Sequence, residues 1–324
     1  MYRLEELQDL VSNRIKHLSF EKEPRELYEP IAYTLHSGGK RIRPALVLAA
    51  CNMFSDDTEP AVKPALGFEV FHNFTLIHDD IMDNSDKRRN RLTVHKKWDS
   101  NRAILSGDAM MIEAYRLIAQ SPDKTLKSVL DIFNRTALEV CEGQQYDINF
   151  ESSDAVQIPE YMKMIRLKTA VLLAACLKAG AIIGGAALAD ADRLYEFGIE
   201  LGLAFQLQDD LLDVYADEKA FGKPVGGDIA EGKKTILYLE ALQKLNEPDR
   251  EQITALFADK TIQREDKISK VRSLYDKYQL SDHVSERMNG HYQKALSALE
   301  NVSVPEARKT VLCDFAKKIM NRKS

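Results

Sequence analysis

Apolar residues in this chain recur mostly at three- and four-residue spacing, over long stretches that carry neither Gly nor Pro. That spacing puts them on one face of an α-helix, and period-two runs of β-branched residues, the signature of strands, are scarce. Residues 61–83, 99–120, 125–148, 160–187, 190–215 and 264–299 read as helix, the last broken near 279–281. Breakers fall between them, at Pro24, Pro30, 38–39, 56–60, 85–91, Pro122, Pro159, 222–232, Pro248 and Pro305. The pattern predicts an all-α fold of roughly a dozen helices. No linker, low-complexity tract, repeat or composition shift divides it, so one domain over 1–324 is expected.

With 45 Lys+Arg against 50 Asp+Glu the net charge is −5, which argues against a nucleic-acid partner. Cys51, Cys141, Cys176 and Cys313 are widely spaced and form no CxxC pair, as suits a reducing cytoplasm. The charged start, MYRLEELQDL, lacks the apolar run of a signal peptide. Residues 170–189 contain one charge, Lys178, and are long enough to cross a bilayer. They are largely Ala and Gly, however, and a central Lys costs about 2.5–3.5 kcal/mol on insertion scales. A buried helix is expected there, and no membrane span.

Two copies of one carboxylate pattern carry most of the chemical information. Asp79-Asp80-Ile81-Met82-Asp83 reads DDxxD, and Asp209-Asp210-Leu211-Leu212-Asp213 repeats it. On a helix the first and last Asp of each motif are four apart and share a face. Like charges at that spacing destabilise a bare helix, so a cation is expected to offset them. Carboxylates without clustered His or Cys suit a hard ion. Mg²⁺ fits best, because it bridges a few carboxylates to substrate phosphates. The bland alternative, a solvated acidic helix end, explains poorly the apolar Phe74, Leu76 and Ile77 before one motif and Phe205, Leu207, Leu211 and Leu212 around the other.

Cations lie close to both motifs in sequence. Gly38-Gly39-Lys40-Arg41-Ile42-Arg43-Pro44 spaces Lys40 and Arg43 to aim at one anion, and Lys87-Arg88-Arg89-Asn90-Arg91 follows the first motif. Lys223, Lys233 and Lys234 follow the second. Each run alone would read as an exposed loop. Together with the carboxylates they describe a diphosphate held by Mg²⁺ on one side and Arg/Lys on the other.

GGKRIRP, FHNFTLIHDDIMDNSDKRRNRLTVH, GDAMM, LKTA, FQLQDDLLD and GKPVGGDIAEGKKT resemble, in order and spacing, the motifs of the trans-isoprenyl diphosphate synthases. The resemblance runs from about Gly38 to Thr235. It implies an all-helical homodimer with a central apolar cavity, which condenses isopentenyl diphosphate onto dimethylallyl, geranyl or farnesyl diphosphate. On that resemblance Asp79 and Asp83 hold two of three Mg²⁺ ions with Asp80 in support, and Asp209 holds the third with Asp210 and Asp213 nearby. Arg88, Lys168, Gln206 and Lys223 grip the allylic substrate, with Lys233 beside its diphosphate and Thr169 lining the site. Lys40, Arg43, His72 and Arg89 grip isopentenyl diphosphate. Periodicity supports His72 independently, since it sits seven and eleven residues before Asp79 and Asp83. His78 has no such support and reads as structural. Gln144 and Asp147 resemble a supporting GQxxD element.

The resemblance also bears on product length, because the growing chain is expected to run down the helix of the first motif. At about 1.5 Å per residue, Phe74 lies about 7.5 Å and Phe71 about 12 Å from Asp79. A ring at Phe74 resembles the short-chain enzymes, and Thr75 is smaller than the aromatic of animal-type farnesyl synthases. Products of C15 to C20 are expected, C20 marginally favoured; ordinary core packing is the competing reading of both rings. One departure stands out: the family's RRGxPT has Asn90 and Leu92 here in place of Gly and Pro. Rival readings are a class I terpene cyclase or a squalene or phytoene synthase, none of which needs the Lys40/Arg43 anchor, and a silent regulatory subunit. Silent subunits usually lose metal aspartates, and all six are present.

Overall fold

A computed structural model describes residues 1–153, 155–216 and 225–321. Apart from one two-stranded hairpin, its regular structure is helical, so the all-α expectation holds. The chain forms two compact units, each assembled from separated stretches of sequence. One comprises Met1–Arg135, Ala175–Tyr195 and Val302–Leu312, the other Thr136–Ala174, Glu196–Asn301 and Cys313–Ser324.

The first unit begins with α1 (Leu4–Lys16), α2 (Arg25–Leu35), α3 (Ile42–Phe54) and α4 (Glu59–Met82). Helix α3 is buried continuously from Pro44 to Met53, as its nearly unbroken apolar sequence dictates. The hairpin β1 (Lys87–Arg88) and β2 (Arg91–Leu92) follows, then α5 (Val94–Lys97) and α6 (Ser100–Ile118), whose N-cap Asp99 accepts the Arg102 amide at 2.8 Å. Phe133 is the hub of an edge-to-face cluster with Phe68, Phe71 and Tyr115, at centroid distances of 5.7, 5.2 and 5.0 Å.

Helices α7 (Asp123–Ser152), α9 (Val171–Ile183) and α10 (Leu188–Tyr215) each contribute residues to both units. The second unit also holds α8 (Ile158–Ile165), α11 (Gly227–Glu231), α12 (Ile236–Lys244), α13 (Glu247–Ala258), α14 (Arg264–Lys277) and α15 (Leu280–Glu300); α16 (Glu306–Met320) closes the sequence. The expected break near 279–281 is present: Gln279 takes a left-handed conformation (φ 52°) between α14 and α15.

The single helix expected over 160–187 is instead α8, a wide π-helical turn at Arg166–Ala170, and α9. The turn is packed close: a Cβ on Gly143 of α7 would lie 2.3 Å from the Lys168 amide nitrogen. The Ala/Gly-rich stretch is a buried helix as expected, and Gly180 lets α9 approach α3 so closely that a Cβ there would sit 2.0 Å from the Val47 carbonyl oxygen. Among the described residues no helix is long and apolar enough to cross a membrane.

Candidate active site

In the first unit α4 carries His72, Asp79 and Asp80 down its last turns, and Asp83 caps its C-terminus, its amide donating to the Asp79 carbonyl at 2.9 Å. Asp80 is buried and accepts the Arg88 Nε at 2.7 Å, while Arg88 Nη2 lies 3.4 Å from Asp79 Oδ2. Burial pushes the Asp80 carboxyl up, against the pull of Arg88. Arg88, expected on the substrate, thus rests here on the first aspartate motif.

The hairpin that positions Arg88 accounts for Asn90 in the departure from RRGxPT. Its register pairs Arg88 with Arg91, leaving Arg89 and Asn90 as a two-residue loop with φ of 52° and 60°. Positive φ at both positions is the type I′ pattern, and Asn accepts it better than any residue but Gly. Asn90 therefore keeps the turn that a glycine would make. The hairpin is tied down by Tyr33, whose hydroxyl donates to the Leu92 carbonyl at 2.9 Å and whose ring lies 4.1 Å beneath the Arg91 guanidinium.

Lys40, Arg43, His72 and Arg89, expected to act together, line one cleft of about 620 Å³. Arg43 Nη1 lies 3.1 Å from His72 Nε2. A guanidinium only donates, so Nε2 accepts and the imidazole is neutral with its proton on Nδ1. Burial, reinforced by Arg43, Arg89, Arg88 and Arg41, holds the His72 pKa well below its ordinary value. Burial likewise lowers Arg43 and Arg89. The Arg43 Nε is buried with no hydrogen-bond partner, a donor that an anion in the cleft would satisfy. Arg89 Nη1 donates to the Gly38 carbonyl, and a Cβ on Gly39 would meet its guanidinium at 2.8 Å, so Gly39 makes room for it.

Two cleft residues escaped the sequence reading. Arg41, left-handed at φ 48° and capping α3, donates to buried Glu69 at 2.5 Å and to the Leu35 carbonyl. Glu69 also accepts from Asn73 Nδ2 at 3.1 Å. Arg41 lay inside the GGKRIRP motif; Glu69, one turn before Asn73, looked like any charge on an apolar helix.

In the second unit the π-helical turn presents Lys168 and Thr169. Lys168 donates to Asp147, the carboxylate of the GQxxD element, at 2.6 Å. Thr169 Oγ1 donates to Gln206 Oε1, and Gln206 Nε2 donates to Asp210 Oδ1, each at 3.3 Å. The other Asp210 oxygen accepts the Tyr161 hydroxyl. Burial pushes Asp210 up to about 7 and Asp228 to about 6, with the Lys233 ammonium pulling both down. Asp213 accepts the Asp228 amide at 3.0 Å at the start of α11. Lys234 caps the C-terminus of α7, donating to the Phe150 and Ser153 carbonyls. Tyr161 was not foreseen, because a Tyr on an amphipathic helix carries no distinctive signal, and Asp228, inside the GKPVGGDIAEGKKT motif, was not singled out. Lys223 lies outside the described residues.

The donor set is all oxygen, which suits Mg²⁺. Among the described residues no three His, Cys, Asp or Glu side chains form a ready-made cage. A Mg²⁺ held by one or two carboxylates, waters and substrate phosphates needs none.

Comparison with known proteins places the chain in a family. A polyprenyl synthetase family model matches residues 24–276. The geranylgeranyl diphosphate synthase of Sulfolobus acidocaldarius is 38% identical over 86% of this chain and 85% of its own. The geranylfarnesyl diphosphate synthase of Natronomonas pharaonis is 36% identical over 73% of this chain and 74% of its own. A crystal structure of a geranylgeranyl pyrophosphate synthase superposes with a TM-score of 0.95 at 42% identity, covering all of both chains. The chain is a prenyltransferase and belongs to the polyprenyl synthetase family.

Proposed function

We propose that this protein is a Mg²⁺-dependent synthase that condenses isopentenyl diphosphate with dimethylallyl, geranyl or farnesyl diphosphate, giving all-trans products of C15 to C20, C20 favoured. The observation that carries the reading is the cationic cleft of Lys40, Arg43, His72 and Arg89, with the buried Arg43 Nε awaiting an acceptor. A terpene cyclase or a squalene-type synthase has no use for such an anchor.

In this reading Asp79, Asp83 and Asp209 hold three Mg²⁺ ions, with Asp80, Asp210 and Asp213 in support. The metal supplies neutralisation of the leaving diphosphate. Arg88, Lys168, Lys223 and Lys233 grip that diphosphate, and Gln206 and Thr169 orient the group beside it. The cleft holds isopentenyl diphosphate so that its double bond attacks the allylic cation at close range. His72, neutral, donates through Nδ1 rather than adding a charge. The final proton leaves with the departing diphosphate, and apolar walls keep water from the cation.

Phe74, half-buried, is the residue we assign to stopping the chain. Phe71 is wholly buried against Phe133 and backs Phe74 at 5.7 Å, which favours packing as its own role. The Thr75 hydroxyl is engaged with the His72 carbonyl at 2.8 Å. The geranylgeranyl name of the relative from Sulfolobus favours C20, and the geranylfarnesyl name of another marks C25 as the nearest competitor. We further take the protein to be a single-domain cytoplasmic homodimer without a nucleic-acid partner. Ile104, Leu105 and Ile112, exposed at 43, 58 and 61% along α6, support pairing with a second copy.

The test is incubation of purified protein with Mg²⁺, labelled isopentenyl diphosphate and each allylic primer, with products resolved by chain length. Prenyl diphosphates ending at C15 or C20 are expected. Products beyond C30 would leave the chemistry standing and remove the role given to Phe74. Primers left unconsumed would favour the silent-subunit alternative.

A further inference from the structure

The GDAMM motif and His78 have so far no part in the reaction, yet they meet. His78 lies on α4 one turn beyond Phe74, and its ring packs edge-on against Phe74 at a centroid distance of 4.8 Å. The other side of the imidazole is seated on α6. Its Nε2 lies 3.2 Å from the Ile104 carbonyl oxygen, which can only accept, so Nε2 carries the proton and donates. Beneath it is Gly107, where a Cβ would stand 2.3 Å from Nε2 and 2.6 Å from Cδ2. No side chain larger than hydrogen leaves room for the ring at that place.

These contacts give His78 one fixed orientation, held from α6 and directed at Phe74. An unbraced phenylalanine on a half-buried helical turn can change rotamer, and a growing chain that presses on it would then pass. We infer that His78, seated on Gly107, is a specificity-determining positioning residue: it locks the Phe74 ring and so sets the length at which the product stops. The inference rests on the assignment of Phe74 as the chain stop. It assigns the glycine of GDAMM to making room for a side chain rather than binding substrate.

The experiment is a product-length cycle with His78→Ala, Phe74→Ala and the double variant, each with Mg²⁺ and farnesyl diphosphate as primer. An aromatic edge-to-face contact of this kind corresponds to roughly three- to tenfold in a population ratio. His78→Ala is therefore expected to raise the ratio of next-longer to normal product roughly three- to tenfold, with isopentenyl diphosphate still consumed. Phe74→Ala should lengthen the product too, and adding His78→Ala to it should change nothing more. A normal product ratio in His78→Ala beside a lengthened one in Phe74→Ala would overturn the brace and leave the chain stop intact. Normal products from Phe74→Ala would remove the chain stop, and the brace with it. Additive lengthening in the double variant would show His78 acting on the chain directly, against the inference. Should His78→Ala fail to fold, Gly107→Ala reads the same point: it evicts the ring without deleting it. An altered ratio that disappears in the Phe74→Ala background supports the brace, and an unaltered one refutes it.

Discussion

At the scale of single residues, the second unit concentrates acid where water is scarce. Asp210 accepts from Tyr161 and Gln206 and is held near pKa 7, and Asp228 near 6. An unfolded Asp titrates near ~3.9, so between about pH 4 and 7 the folded chain binds protons that the unfolded chain has released. The unfolded state then binds fewer protons than the folded one, and stability falls as pH rises through that window. Melting temperatures of the protein in chelator should decline from pH 4.5 to 7.5. Asp210→Asn should flatten part of that slope, because it removes one of the two titrating carboxyls. A slope identical to wild type in Asp210→Asn would assign the effect to other groups. Asp190 works in the opposite sense: burial would raise it, but the Ser303 amide and Arg193 hold it low, so its contribution is lost as pH falls.

At the scale of elements, small residues decide where helices touch. Gly143 faces the Lys168 backbone and Gly180 the Val47 carbonyl, each too close for a methyl group. Gly143→Ala and Gly180→Ala should each lower stability by about 1–3 kcal/mol in chemical denaturation. Gly143→Ala should in addition weaken catalysis, since it pushes on the turn that presents Lys168; Gly180→Ala should not. Both elements illustrate what sequence could disclose. The long helical stretches were readable because their apolar faces repeat at a period that only a helix satisfies. The π-helical turn was not, because one inserted residue shifts the period too briefly to register. Arg43 and His72 were legible by motif and by spacing. Tyr161 and Glu69 gained meaning only from partners 49 and 28 residues away in sequence.

For the molecule as a whole, a net charge of −5 coexists with a cleft lined by Lys40, Arg41, Arg43 and Arg89, with Glu69 the carboxylate among them. Ligand capture by such a site is electrostatic and screened by salt, with a Debye length of about 10 Å at 0.1 M. The KM for isopentenyl diphosphate should therefore rise with added NaCl, and Arg43→Gln should raise KM and blunt that dependence. A KM indifferent to salt would place the anion elsewhere. The order of motifs along the sequence disclosed that such a cleft exists; its depth and the Arg41–Glu69 pair beneath it came from packing.

The neutral His72 wedged among arginines shows how much positive charge the fold gathers in the cleft. Like charges assembled by the fold are a load on the fold, and under the proposed function a bound diphosphate would relieve it. Selection for tight substrate capture and selection for thermal endurance pull on the same four side chains in opposite directions.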